Sequence, residues 1–134
     1  MSRFSETLTG YAKYKGSGHW AFVLHRLTGL AIVLFLLIHV VDTAFVYFWP
    51  AGYEEAIVLY RSPLFGIGEI LLVFAVIYHA LNGLRIAIFD LWYPEGWEMG
   101  FAQKSVVWTL AIAIILWIPA AVIMGQSILA HLGG

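Results

Sequence analysis

The chain contains no cysteine, which excludes disulfides, thiolate metal sites, iron–sulfur ligation and thioether-linked prosthetic groups through its own side chains. It is also poor in charge. Only 11% of its 134 residues are Asp, Glu, Lys or Arg, and the formal net charge is -1, so nothing in the composition would hold a nucleic acid or draw in an acidic substrate. In place of charge there is apolar surface: 62% of the residues are hydrophobic. One soluble core of this size could not hide so much, so the bilayer is the expected solvent.

Three apolar runs carry that surface. The first spans about Leu27 to Trp49 and is interrupted only by Thr28, His39, Asp42 and Thr43. The second spans about Pro63 to Asp90, with Ser62-Pro63 supplying an N-cap and a first-turn proline. The third, about Ser105 to Leu129, contains no charged residue, and Pro119 is expected to kink it. Each is long enough to cross a hydrocarbon layer of about 30 Å. The fold expected is an all-α integral membrane domain over 1–134, with three transmembrane helices (27–49, 63–90, 105–129). Three helices bury little against one another, so a second membrane chain is expected beside them. Met1 to Gly18 is polar, contains Glu6 and lacks a compact apolar stretch before a small-residue cleavage site, so the first run is expected to be retained.

Orientation follows from the cations. Arg3, Lys13, Lys15 and Arg26 precede or open the first run and Lys104 lies in the second connection, whereas Arg61 is alone in the first. The positive-inside rule puts residues 1–20 and the second connection in the cytoplasm and the C-terminus outside. Trp20, Trp92, Tyr93 and Trp97 then mark the inner border; Tyr47, Trp49, Tyr53 and Tyr60 mark the outer one.

Against this apolar background the polar residues are informative, because an ionisable group at such depth usually has a partner and a task. His79 lies in Tyr78-His79-Ala80-Leu81-Asn82-Gly83-Leu84-Arg85. Helical periodicity puts Gly68, His79, Gly83, Ile86 and Asp90 on one stripe, with Asn82 at its margin. A neutral imidazole there is a ready haem ligand, and Gly83, a turn later, leaves room for a flat macrocycle. A second reading stays open, in which His79 bonds a neighbouring helix and Gly83 permits close packing.

Counted at the helical rise, His39 lies roughly 20 Å beyond Arg26, and His79 roughly 16 Å before Asp90, so both are near mid-membrane. Three uses of His39 stay open: ligand to a second haem, opposite ligand on the same haem, or a structural bond to Asp42 or a partner. At the mouth of the first run, Arg26 offers a fork of donors suited to haem propionates or a quinone carbonyl, with Trp20 and Phe22 as an aromatic wall. Snorkelling to lipid phosphate is the competing use. Arg85 faces the same choice between propionate and lipid. Glu69 near a helix N-terminus reads as structural. His19 and His131 are expected to be solvated, and Trp108 and Trp117 to pack.

Taken in order, His25-Arg26-Leu27-Thr28-Gly29 and His79-Ala80-Leu81-Asn82-Gly83-Leu84-Arg85, with Asp90 following, closely resemble the cytochrome b subunit of succinate dehydrogenase (complex II). The family pattern is His-Arg-x-[Ser/Thr]-Gly at the first span and His-x-x-x-Gly-[Ile/Leu]-Arg with a following Asp in the second. The resemblance covers residues 16 to 130.

What the resemblance implies is an anchor that forms half of a heterodimeric helical bundle with a second anchor subunit. His79 would be an axial ligand to haem b, the other ligand coming from that partner. Arg26 would lie by the quinone site near the iron–sulfur subunit, and His25 would be available to the propionates. Succinate oxidation would take place on a flavoprotein subunit, leaving this chain with no catalytic residue of its own. Phe22 stands where many members carry a serine on the quinone-site wall, so Ser17 or a partner residue would have to supply that hydrogen bond. His39 departs from single-haem members and has the helix and depth of the outer ligand in two-haem relatives. The implied location is a bacterial cell membrane or an equivalent energy-transducing membrane. The alternatives are a quinol:fumarate reductase anchor, a haem-free anchor, and a small proton-transporting subunit using His39, Asp42 and Glu69.

Overall fold

The structure, a computed structural model, describes residues 16–133, and the backbone only of Met99. The N-terminal residues 1–15, for which a cytoplasmic segment and a retained start were expected, lie outside that range. Among the described residues there is no strand. Helix α1 covers Ser17–Phe48, α2 Pro50–Tyr60, α3 Pro63–Leu91 and α4 Met99–Leu132, with a 3₁₀ turn at Pro94–Trp97 before α4. Three of the four helices are long and apolar enough to cross a membrane.

The elements stop where proline and backbone geometry dictate. Trp49 leaves the helical region (φ -154°, ψ 73°) and closes α1 through its N–H to the Phe45 carbonyl. Pro50 then starts α2 instead of simply ending the first span, because a missing N–H costs nothing at a first helical position. Ser62 takes the extended N-cap conformation before Pro63, as expected, but its side chain makes no capping bond. Pro119 sits inside α4 without ending it. Helix α1 begins at Ser17, ahead of the first apolar run, so the His25-Arg26 pair lies within the helix.

Helix α3 is the centre of the fold, packing on α4 and α1 at once. Small residues bring the helices close, as is usual where lipid removes the hydrophobic drive for association. Ala21, Ala75 and Ala113 are buried, and a Cβ on Gly66 would come within 2.8 Å of the Ile128 side chain. The indole N–H of Trp117 donates to the Ile70 carbonyl (2.9 Å), fixing α4 to α3. Tyr78, 1% exposed, donates to the Ala21 carbonyl (3.4 Å), fixing α3 to α1. Trp108, expected to pack, is instead exposed. In the most apolar stretch of α1 no residue is buried, and Leu30, Leu34, Leu37 and Val41 project outward. That face is suited to lipid or to another apolar helix.

Candidate functional site

Helices α1 and α3 run antiparallel, and this brings the two sequence motifs together. The imidazole of His79 on α3 meets three successive features of α1. Its Nδ1 lies 3.1 Å from the His25 carbonyl and 3.3 Å from Thr28 Oγ1. A Cβ on Gly29 would come within 2.9 Å of His79 Cε1, so the glycine is what allows the ring to lie against the α1 backbone. The His25 ring stacks on the His79 ring, centroids 4.0 Å apart and planes within 7°. A Cβ on Gly83 would stand 3.6 Å from His25 Cε1, so Gly83 faces that same ring.

The tautomer of His79 follows from these partners. A carbonyl oxygen only accepts, so Nδ1 facing it carries the proton and Nε2 keeps its lone pair. Both polar contacts of the ring are thus spent on Nδ1, which leaves the Nε2 lone pair uncommitted among the described residues.

Beside the histidine pair lies a recess of about 500 Å³ lined by residues that include Phe22, His25, Arg26, Asn82, Arg85 and Trp97. Arg85 turns into the protein: Nε donates to Asn82 Oδ1 (3.0 Å) and Nη1 to Ser105 Oγ (3.1 Å), with the guanidinium 5.8 Å from the Phe89 and Trp97 rings. Trp97 is held in turn by its N–H to Asp90 Oδ1 (2.9 Å). Asn82 is 1% exposed, and its Nδ2 has no hydrogen-bond partner among the described residues; the same holds for His25 Nδ1 and Ser17 Oγ. Arg26 is exposed and lies 5.3 Å from the Phe22 ring centroid. No acidic side chain lines this recess. Two arginines and an unsatisfied buried amide donor therefore converge without an anion to receive them. Trp20, 65% exposed, lies outside the lining. Sequence reasoning missed Trp97 and Ser105 here, since nothing local marks a side chain that reaches across from the next helix.

His39 belongs to a different place. It stacks on Phe35 (5.4 Å, 18°) and, with Asp42, Tyr60, Gly68 and Glu69, lines an apolar recess of about 520 Å³ between α1 and α3. From Thr28, which touches His79, it is separated by about 16 Å of helix, so the two histidines cannot share one iron. Asp42 does not orient His39; it accepts the Tyr60 hydroxyl hydrogen bond. That contact lifts the Tyr60 hydroxyl to about 12, because ionisation would break the bond and set a second negative charge beside the carboxylate. Among the described residues no group of three or more His, Cys, Asp or Glu side chains is placed to hold a bare metal ion. A porphyrin supplies its own equatorial donors, so that absence does not bear on a haem ligated by a single histidine.

Residues 3–120 match the family model for the succinate dehydrogenase/fumarate reductase transmembrane subunit. The chain belongs to that family. It is also 36% identical over 120 residues to succinate dehydrogenase 2 membrane subunit SdhC of Mycobacterium tuberculosis (strain ATCC 25618 / H37Rv), covering 88% of this chain and 85% of that one. As a member of the family with three long apolar helices, it is an integral membrane protein. The matched segment contains both motifs and the whole of the α1–α3 contact that joins them.

Proposed function

We propose that this chain is the cytochrome b anchor subunit of a succinate:quinone oxidoreductase, taking haem b through His79 Nε2 and helping to form the quinone site. The observation that carries the reading is the His79 ring: pinned at Nδ1 by α1, uncommitted at Nε2, and next to an acid-free recess with two arginines. The residues fit the group on their own chemistry. His25 Nδ1, Asn82 Nδ2 and Arg85 would hold propionate carboxylates, giving partners to the first two, which are otherwise buried without any among the described residues.

Bound there, haem would supply a one-electron carrier close to the quinone site. The remaining roles fall to this chain's own side chains. Arg26, exposed beside Phe22, would polarise a quinone carbonyl and stabilise the negative charge that develops as electrons arrive, as fixed donors do at other sites of charge development. Trp97 and Phe22 would exclude water from the ring of the quinone. The serine found in many relatives at the Phe22 position would have to be replaced by Ser17, whose Oγ is buried without a partner, or by a residue of another subunit.

The complex would be completed by a second membrane anchor giving the opposite haem ligand, an iron–sulfur subunit at the Arg26 end and a flavoprotein that oxidises succinate. The cation distribution supports an N-terminus in the cytoplasm and a C-terminus outside. His39 would hold a second haem nearer the outer face; the apolar recess opposite Gly68 supports this. Succinate oxidation is preferred to fumarate reduction because the mycobacterial relative carries the former name.

The test is a pyridine-haemochrome measurement on the purified complex, expressed per copy of this subunit, together with His79→Ala. We expect one haem b to disappear in the variant while the chain still inserts and assembles. Normal haem content in His79→Ala would remove the ligand assignment, and a wild-type complex without haem would leave a haem-free anchor.

A further inference from the structure

We propose that Thr28 is a positioning residue for the iron ligand: its hydroxyl oxygen, on α1, accepts from His79 Nδ1–H and thereby makes Nε2 a stronger donor to iron. This rests on the haem reading above, and the experiment below separates the two.

Thr28 is 5% exposed, one of two buried residues in a helix whose most apolar stretch is otherwise open. A threonine there ordinarily does no more than bond back to its own helix. Thr28 does so, with Oγ1 2.8 Å from the Leu24 carbonyl and 2.9 Å from the His25 carbonyl. A hydroxyl has one proton to give, so once it points to Leu24 an oxygen lone pair remains. That lone pair faces His79 Nδ1 at 3.3 Å. Nδ1–H therefore has two acceptors, the His25 carbonyl and the Thr28 hydroxyl, both supplied by α1 to a ring carried by α3.

The ring cannot turn away to exchange its nitrogens. Gly29 leaves it just enough room on one side, and the His25 ring covers its face. The arrangement is the one by which outer hydrogen bonds fix the tautomer of a ligating histidine and raise its basicity. A more basic imidazole favours ferric over ferrous iron, so removing an acceptor from Nδ1–H should make the haem easier to reduce. A structural threonine would have no such effect on the iron.

The experiment uses the intact complex purified from membranes, with Thr28→Val (same shape, no hydroxyl) and Thr28→Ser (hydroxyl kept). Haem content, a redox titration of the haem band and the ferric low-spin resonance spectrum are measured for each. We expect Thr28→Val to retain haem and to raise the ferrous:ferric ratio at a fixed ambient potential by up to about tenfold, about 59 mV for one electron. Thr28→Ser should match wild type. Loss of haem from an assembled Thr28→Val complex, with retention in Thr28→Ser, would also support the role. Two results overturn it: an unchanged potential and spectrum in haem-replete Thr28→Val, or an equal shift in Thr28→Ser. A wild-type complex lacking haem b would instead sink the parent reading, and this inference with it.

Discussion

The rings of His25 and His79 lie parallel, with 4.0 Å between centroids and 7° between planes, although they come from different helices. This one contact fixes how the two motifs work together. The His25 backbone carbonyl orients His79, while the His25 side chain covers its face and keeps its own Nδ1 buried without a hydrogen-bond partner among the described residues. Gly29 gives the His79 ring its space, while Gly83 stands at ordinary contact distance from the His25 ring.

These two glycines separate packing from cofactor binding. A Cβ at Gly29 would come within 2.9 Å of His79 Cε1, so Gly29→Ala should displace the His79 ring and, on the proposed ligation, lower haem retention by disturbing the protein itself. At Gly83 the nearest atom is 3.6 Å away, an ordinary contact, so the chain alone tolerates Gly83→Ala. Loss of haem from a stable, assembled Gly83→Ala complex would place the macrocycle over Gly83. Full haem content in that variant would show that the glycine is there for helix packing only. Gly125→Ala, with nothing within 4 Å, serves as the control and should match wild type in both measurements.

The spans were legible in the sequence because lipid-facing residues keep their apolar character over whole helices, and the structure leaves those faces bare. The start of α1 was not. Gly18-His19-Trp20 precedes the first apolar run, yet the helix runs through it from Ser17. Helix α2 was hidden for a similar reason, since it lies between the first two apolar runs and Pro50 opens it as a first-turn residue. Within the site, the inward direction of Arg85 depends on Ser105 and Trp97, which no local pattern ties to it. Nothing in the first motif ties Thr28 to His79; the antiparallel register of α1 and α3 brings the two together.

Arg26 lies on the open side of the recess, over Phe22, whereas Arg85 is held within. Replacing Arg26 with Leu should therefore leave the His79 environment intact and weaken quinone binding and reduction. Hydrogen bonds to a charged group contribute about 1.5–3 kcal/mol, which corresponds to a loss of roughly ten- to a hundredfold. The measurement compares succinate-driven reduction of quinone with reduction of a soluble artificial acceptor in the same complex. Equal losses in both assays would move Arg26 to an assembly role at the subunit contact.

His39 makes a clean spectroscopic case because its recess is separate from that of His79. If each histidine holds its own haem, His39→Ala and His79→Ala should remove different components of the redox titration, and the double variant should remove both. An unchanged titration in His39→Ala would return that imidazole to its stacking contact with Phe35 alone.

The Tyr60–Asp42 contact ties α2 to α1 and gives a pH signature of its own. Its hydroxyl is raised from 10.0 to about 12, first by the hydrogen bond to the carboxylate. For a raised group the stabilisation is whole below the unfolded value and fades as pH climbs through the folded one, so this tie should hold up to pH 10 and fail toward pH 12. The ultraviolet tyrosinate titration of wild type minus Tyr60→Phe isolates the residue from the other tyrosines. That difference should stay flat near pH 10, and in an Asp42→Asn background it should move down toward the ordinary phenol range once the neighbouring charge is gone. A Tyr60 component already ionising near pH 10 in the wild type would mean that the hydroxyl and the carboxylate do not meet in the assembled complex.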